Sequence, residues 1–182
     1  MKTDWSRIAR RIRVPLGFIF AAVFLWLAQP SPASIAWSLL LVLPGIALRA
    51  YASGYVKKNR ELTVTGPYAH TRNPLYLGSL SIALGFAVAA RNLWVLAGIA
   101  ILFFAIYLPV IRSEEEFLRG MFHGFDEYCA RVPRLFPRLT PGMRGEAGKF
   151  SATLYRRHRE YNALMGAGAL YAALILRLYF RR

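Results

Sequence analysis

Residues 93–111 read LWVLAGIAILFFAIYLPVI, an uncharged apolar run of nineteen residues within a chain of 182. A transmembrane helix needs roughly 20 apolar residues to cross the hydrocarbon core, and about 17 is the practical lower limit. Four further uncharged blocks cover residues 14–28, 35–48, 75–90 and 163–176. A single block of this length could be a buried helix of a water-soluble protein. Five such blocks predict an all-α integral membrane protein with about five transmembrane helices.

The net charge of +15 is concentrated in alternate connections between these blocks. Basic residues precede the first block and recur in residues 57–72 and 112–159, whereas residues 29–34 carry no charge. Clustered Lys and Arg can indicate nucleic-acid binding, but this alternation is what the positive-inside rule predicts. Arg177 near the tail departs from it. We expect a lipid bilayer and no nucleic acid as partner, with the amino terminus and both basic segments on the cytoplasmic side of the plasma (inner) membrane.

The chain divides into three parts by hydropathy. Residues 1–56 form an N-terminal transmembrane hairpin, residues 57–140 a central core, and residues 141–182 a linker with an additional transmembrane helix. The first block follows a basic start, as in a signal peptide, but no small-x-small cleavage site follows, and we expect a retained helix. The polar stretches are too short to fold alone. A functional pocket must therefore be built from loops and helix ends on the cytoplasmic side.

The first candidate for such a pocket is the segment LTVTGPYAHTRNPLY, residues 62–76. Pro74 should begin the third helix and place Asn73 near its N-cap. The free backbone N–H groups and the helix dipole would favour a carboxylate there, and Arg72 adds a guanidinium. Its tyrosines are Tyr68 and Tyr76. An ordinary polar loop that caps a membrane helix explains the same residues equally well.

The second candidate is the run of three acids Glu114, Glu115 and Glu116 at the end of the fourth block. Acids are costly at membrane depth unless they are paired or functional. At helical spacing only one or two of them can face inward, so a solvated helix end remains possible for Glu114 or Glu116. An inward carboxylate could accept hydrogen bonds from a ribose or bind a substrate amine. Cys129 is the sole cysteine, which excludes an internal disulfide and a thiolate metal cluster, and we expect no metal site.

The order of the motifs resembles a known family. GPYxxxRNPxY begins at Gly66, a helical hairpin follows, EExxLxxxF begins at Glu114, and YxxRVP ends at Pro133. This pattern, over residues 55–137, is similar to the isoprenylcysteine carboxyl methyltransferase family and to the related phospholipid N-methyltransferases. The resemblance implies S-adenosylmethionine as cofactor and a lipophilic or membrane-associated acceptor. The cofactor-binding residues that it implies are Leu62, Thr65, Gly66, Tyr68, Arg72, Asn73, Pro74, Tyr76 and Glu115.

Two motifs depart from the family pattern. The family usually has Arg-His-Pro where this chain has Asn73 after Arg72, and an amide can form hydrogen bonds but cannot carry charge. The Phe-Gly-x-x-Tyr-x-x-Tyr motif of the family is shortened by one residue here, between Phe122 and Tyr128. An acid–base role at Asn73 is therefore not expected.

The acceptor determines which side chains would assist methyl transfer. For a carboxylate acceptor, an arginine that orients the anion would suffice, with Arg131 as first choice and Arg134 as second. For an amine, a carboxylate such as Glu115 or Asp126 would take up a proton. The sequence leaves carboxylate, amine and thiol acceptors open.

Two other functions are compatible with the chain. One is an NADPH-dependent membrane reductase acting on sterol-like substrates, with Arg119, Arg131 and Arg134 binding the extra phosphate. The other is a non-enzymatic membrane protein whose basic loops bind anionic lipid. The EExxL element and the short chain favour methyl transfer.

Overall fold

The computed structural model describes residues 2–57, 60–143 and 148–180, and all its regular elements are helical. The helices are α1 (Lys2–Leu27), α2 (Pro32–Ser53), α3 (Pro74–Ala90), α4 (Leu93–Leu102), α5 (Leu108–Met121), α6 (Phe125–Arg131), α7 (Ala152–Arg157) and α8 (Tyr161–Phe180). A 3₁₀ turn covers Gly66–Ala69, and a π-helical turn, Phe103–Tyr107, joins α4 to α5. The two therefore form one 29-residue helix, Leu93–Met121.

Three of these helices are long and apolar enough to cross a membrane: Pro32–Ser53, Leu93–Met121 and Tyr161–Phe180. Two shorter apolar segments, Val14–Leu27 and Pro74–Ala90, lie beside them. The five apolar blocks of the sequence therefore all coincide with helices. The prediction of an all-α integral membrane protein is confirmed.

Hydrogen bonds join the α1–α2 and α3–α4 turns at one end of the bundle. The backbone N–H of Gln29 donates to the carbonyl of Ala90 at 2.8 Å, and the Asn92 amide donates to the carbonyl of Leu27 at 3.1 Å. Each of these helices runs from this end to the other. The carboxyl end of α2 and the amino end of α3 consequently meet at the opposite end, where the polar segments lie.

Helices α2 and α3 pack with their backbones almost in contact. A Cβ added at Gly78 would lie 2.7 Å from the carbonyl oxygen of Gly45, and one at Gly85 would lie 2.9 Å from that of Ser38. Small residues at such crossings allow the close approach that is typical of membrane helices. The contact places the start of α3 beside Arg49 near the end of α2.

Helix α8 runs antiparallel to α2 along the whole bundle. Glu160, just before α8, contacts Arg49 at 2.7 Å, and the Tyr171 and Ser38 hydroxyl groups lie 2.7 Å apart. At the other end, Arg177 donates to the carbonyls of Leu25 and Trp26. Arg177 is the basic residue that departs from the alternating charge pattern, and these two carbonyls accept hydrogen bonds from its guanidinium. They can do so because carbonyls in the last turn of a helix have no partners within that helix.

Candidate active site

A cavity of about 1020 Å³ opens at the polar end of the bundle. Its polar side is formed by the 62–76 segment, the end of α5, and two residues that approach from α2 and α8. Its apolar side is formed by Val14, Gly17, Phe18 and Ala21 of α1 and by Gly166, Ala169 and Leu170 of α8. The cavity thus connects a charged wall with helices that face lipid.

Glu115 is the centre of the charged wall and is only 5% exposed. Its Oε1 accepts from Arg72 Nε at 3.1 Å and from Asn73 Nδ2 at 3.3 Å. Its Oε2 accepts from Arg134 Nε at 2.9 Å, and Arg134 Nη2 lies 2.8 Å away. A buried carboxylate is stable only when its charge is paired and its oxygens are hydrogen-bonded. Both conditions are met, so Glu115 serves to hold its neighbours in place.

The same cluster ties the 62–76 segment to the chain after α6. Arg72 Nη1 donates to the carbonyl of Cys129 at 2.9 Å, and its backbone N–H donates to Pro133. Asn73 Nδ2 donates to the carbonyl of Arg134 at 3.0 Å in addition to its bond with Glu115. One amide nitrogen thus supplies two donors, whereas a single ring nitrogen of histidine has one N–H. Asn73 can therefore bridge the Glu115 carboxylate and the Arg134 carbonyl, and this role requires no charge on its side chain.

Two buried tyrosines hold the turn that precedes this cluster. The Tyr128 hydroxyl donates to the carbonyl of Tyr68 at 2.7 Å, and burial raises the pKa of both phenols. They therefore stay protonated at physiological pH. Gly66 has a φ of +59°, and a Cβ there would lie 2.6 Å from the ring of Tyr55. The turn requires glycine for both reasons.

Glu114 is a second carboxylate of the charged wall. Its Oε1 accepts from the Tyr76 hydroxyl at 3.0 Å, and the Tyr76 ring packs edge-on against Tyr107 with centroids 6.1 Å apart. Among the side chains that the structure describes, no ion pair includes Glu114. Glu114 therefore has fewer described partners than Glu115, which binds two guanidinium groups and an amide.

Arg49 and Glu160 also line the cavity, and the sequence motifs point to neither of them. Arg49 Nη2 lies 2.7 Å from Glu160 Oε2, with the side chains 23% and 11% exposed. Arg49 Nη1 also donates to the carbonyl of Leu75 and to the Ser79 hydroxyl. The sequence does contain one signal for Arg49, which is a charged residue directly after the apolar block 35–48. Charged side chains near membrane depth are rare unless they have a partner, so this position indicates a paired arginine.

Most of the residues expected to bind the cofactor line this cavity. They are Leu62, Tyr68, Arg72, Asn73, Pro74, Tyr76 and Glu115. Thr65 and Gly66 are not among the lining residues. Thr65 lies instead in a smaller neighbouring depression beside Gly148, and Gly66 shapes the turn. Arg72 is held in place by Glu115 and the carbonyl of Cys129, so its guanidinium is fixed at the cavity wall.

The structure does not bring Arg131 or Asp126 to the cavity. Both are exposed, and they form surface ion pairs, Arg131 with Glu127 at 2.8 Å and Asp126 with Arg119 at 2.7 Å. Helix α6 turns Phe125, Tyr128 and the following Val132 inward. Positions 126, 127 and 131 then face outward at helical spacing. The geometry therefore does not support a role for these two side chains on the acceptor.

The described residues contain no group of three or more His, Cys, Asp or Glu side chains that could hold a metal ion. Cys129 is half-buried, and burial raises the pKa of its thiol. Its carbonyl, as acceptor for Arg72, is the part that contributes to the cluster.

The model of the phospholipid methyltransferase family matches residues 16–124 of this chain. The chain belongs to the phospholipid methyltransferase family. The matched segment contains the Gly66–Tyr76 motif and the Glu114–Glu116 run, so the resemblance inferred from these motifs is confirmed. Helices α6, α7 and α8 lie entirely beyond it.

Two curated relatives carry names that refer to metal resistance. The cobalt-zinc-cadmium resistance protein CzcN of Cupriavidus metallidurans is 42% identical over 97 residues, which is 53% of this chain and 44% of that protein. The nickel-cobalt-cadmium resistance protein NccN of Alcaligenes xylosoxydans xylosoxydans is 39% identical over 90 residues, 50% of this chain and 41% of that protein. This chain thus matches less than half of the length of either relative. No solved structure matches.

Proposed function

We propose that the protein transfers a methyl group from S-adenosylmethionine to the amine of a lipophilic acceptor, in the plasma membrane and with its site facing the cytoplasm. The observation that carries the proposal is the single cavity that joins the family motifs to the apolar faces of α1 and α8. The cytoplasmic orientation is supported by the basic residues of the 57–72 and 112–159 segments, which border the site.

The cavity is at the upper end of the size range of small-molecule pockets, and its polar and apolar sides offer separate places for a cofactor and for the apolar part of an acceptor. Pockets for one drug-sized ligand span about 300–1,000 Å³, and this cavity measures about 1020 Å³. Its lining offers the apolar and aromatic side chains of Leu62, Tyr68, Leu118 and Phe125 to a nucleoside. The amino end of α3, where Asn73 makes no side-chain cap, favours a carboxylate through its free N–H groups. These residues would hold S-adenosylmethionine.

When bound, S-adenosylmethionine supplies an electrophilic methyl group for in-line displacement. The protein then contributes mainly position and exclusion of water. Glu115 serves the first purpose, because it fixes Arg72 and Asn73 and through them the start of α3. Tyr68 and Tyr128 stay neutral and hold the turn beneath the cavity.

The charges of the lining favour an amine acceptor. Four carboxylates line the cavity, Glu61, Glu114, Glu115 and Glu160, against the two guanidinium groups of Arg49 and Arg72. Each of these arginines is already paired with a lining glutamate. Glu61 is paired with Lys57, and Glu115 is paired with Arg134 as well. A carboxylate acceptor would thus find no guanidinium group of the lining without a carboxylate partner, whereas an ammonium group could pair with Glu114. Glu114 can attract an ammonium group and accept its proton, which leaves a nucleophilic amine for the transfer.

Two measurements on protein in nanodiscs test the proposal. Calorimetry should show binding of S-adenosylhomocysteine and none of NADPH, whereas binding of NADPH alone would favour the reductase. Methyl incorporation from labelled S-adenosylmethionine should occur in vesicles of phosphatidylethanolamine, with vesicles of phosphatidylcholine and oleic acid as the matched carboxylate test. Incorporation into oleic acid alone would contradict the amine assignment, and absence of S-adenosylhomocysteine binding would contradict the proposal as a whole.

The names of the two relatives favour a cellular role as a second candidate. Cobalt and cadmium are common to both names. We propose that methylation by this protein contributes to tolerance of these metals. A metal-sensitive bacterial strain expressing the wild-type chain should then grow at higher cobalt and cadmium than one expressing Glu114→Gln. Equal growth of the two strains would contradict a role that depends on the reaction.

A further inference from the structure

Helix α8 forms one wall of the cavity although it lies outside the segment that the family model matches. It is also the least buried of the three long helices, with 11% of its apolar window buried against 22% and 28% for the other two. Its position therefore depends on few contacts with the rest of the bundle. Because α8 lines the apolar side of the cavity, these few contacts determine the shape of that side.

Among the described residues, several polar contacts hold α8 and the residues directly before it, and one of these contacts belongs to the cavity. His158 Nδ1 lies 3.0 Å from the carbonyl oxygen of Ser53, away from the cavity lining. The Ser38–Tyr171 hydrogen bond and the Arg177 contacts with the end of α1 lie away from the cavity lining. The pair of Arg49 and Glu160 lines it. Between apolar helices, polar contacts of this kind decide how the helices pack.

Arg49 connects α8 with the helix that begins at the cofactor turn. Its guanidinium contacts Glu160 before α8 and, in α3, the carbonyl of Leu75 and the hydroxyl of Ser79. Its Nε is buried without a hydrogen-bond partner. Such a pair is poorly optimised for stability, and buried ionic groups retained in this way can serve to select one geometry.

We propose that the Arg49–Glu160 pair positions α8 and so sets the width of the passage between α1 and α8 by which the acceptor's apolar chain reaches the site. The proposal rests on the proposed methyltransferase function. Arg49 and Glu160 are positioning residues in it, since they act through α8. The C-terminal segment then selects the acceptor and leaves cofactor binding to the family motifs.

Two glycines of α8 provide a matched test of the passage. A Cβ added at Gly166 or at Gly168 meets no atom within 4 Å, so both positions accept a larger side chain. Gly166 lines the cavity and Gly168 does not. Gly166→Trp should raise the acceptor KM by at least about tenfold, measured as the mole fraction of total bacterial lipid extract in phosphatidylcholine vesicles. The affinity of Gly166→Trp for S-adenosylhomocysteine should stay within about twofold of the wild-type value. In Gly168→Trp, both the acceptor KM and this affinity should stay within about twofold of wild type.

A second pair of variants tests the ion pair itself. Glu160→Gln keeps the size of the side chain and removes its charge, whereas Ser38→Ala removes the polar contact in the middle of α8. Glu160→Gln should raise the acceptor KM by about fivefold or more with little change in kcat or in S-adenosylhomocysteine affinity. Ser38→Ala should leave the acceptor KM within about twofold. A merely structural role of the pair predicts the same response in both variants.

The outcomes separate this inference from the proposed function. If the wild-type protein binds no S-adenosylhomocysteine or labels no lipid of the extract, the proposed function is wrong and the inference is overturned with it. If it binds and labels while Gly166→Trp keeps the wild-type acceptor KM, only the passage is misplaced. If Gly166→Trp responds and Glu160→Gln behaves like Ser38→Ala, the passage is correct and the ion pair does not control it.

Discussion

Two arginine–glutamate pairs border the same cavity, and they are built differently. Glu115 binds two guanidinium groups and an amide, and both its side chain and that of Arg72 are at most 10% exposed. Glu160 binds one guanidinium group, whose side chain is 23% exposed and whose Nε lacks a partner. The first site is saturated; its Arg72, Asn73 and Glu115 lie within the family segment, and Arg134 lies beyond it. The second site joins Arg49 to Glu160 at the start of a lightly packed helix. Under the proposed function, the first site supports the cofactor turn and the second supports the acceptor side of the cavity.

The largest effect is expected from breaking the saturated site. Glu115→Ala would leave Arg72 buried without its carboxylate, and we expect the free energy of unfolding to fall by roughly 3–5 kcal/mol. Affinity for S-adenosylhomocysteine should fall by at least about tenfold. Thermal unfolding in detergent and calorimetry measure the two quantities. Glu116→Ala, at an exposed neighbouring position, is the control. Equal melting temperatures of the two variants would show that the cluster does not support the turn.

The neighbouring carboxylate sharpens the comparison, because Glu114 has no ion-pair partner in the described structure whereas Glu115 is saturated. Glu114→Gln should lower kcat/KM for an amine acceptor by about 100-fold or more and leave S-adenosylhomocysteine affinity unchanged. Tyr76→Phe removes the hydroxyl that donates to Glu114 while it keeps the ring, and it should cost less than about tenfold. Steady-state methyl incorporation measures both. Full activity of Glu114→Gln would exclude Glu114 as the base.

The bridging role of Asn73 can be tested with the residue that the family usually has. The neutral imidazole of Asn73→His can keep the hydrogen bond to Glu115 or the one to the Arg134 carbonyl, because in that form it has a single N–H. We expect a loss of about 0.5–1.5 kcal/mol in the free energy of unfolding. Denaturant titration of the two proteins measures it. A more stable Asn73→His variant would contradict the bridging interpretation.

The smallest effect concerns Cys129, whose thiol lies next to the saturated site. Burial raises the pKa of this thiol, and Glu115 contributes in the same direction. Because a higher pKa means less thiolate, iodoacetamide should react with folded Cys129 more slowly than with a free cysteine at pH 8. The rate should rise in Glu115→Gln, in which the neighbouring negative charge is removed. A rate unaffected by that substitution would show that the charge does not reach the thiol.

Much of the site was predictable because its residues belong to short motifs with local causes. Pro74 starts α3 as expected, since its fixed φ suits the first helical turn and its missing N–H costs nothing there. Arg72, Asn73 and Glu115 were all expected near the cofactor, and they meet in one cluster. Their direct contact was not predictable, because it depends on how α3 and α5 pack.

The positions of four other charged side chains depend on packing in a similar way. Asp126 and Arg131 have the right chemistry and lie near the motifs, but a seven-residue helix has two faces and the core contacts of Phe125 and Tyr128 decide which one is inward. Arg49 and Glu160 are separated by 111 residues and share no motif. Only the packing of α8 against α2 brings them together.

The sequence by itself determined that this is a helical membrane protein, because the length and apolarity of a block decide its partition into lipid without reference to any partner. It also determined the turn that precedes α3, since Gly66, Pro67 and Pro74 constrain the backbone locally. The tertiary structure alone decided which carboxylates are saturated, which line the cavity with fewer described partners, and which helix closes the cavity. Those properties arise from helices that meet across long separations, and burial and pairing exist only once they have met.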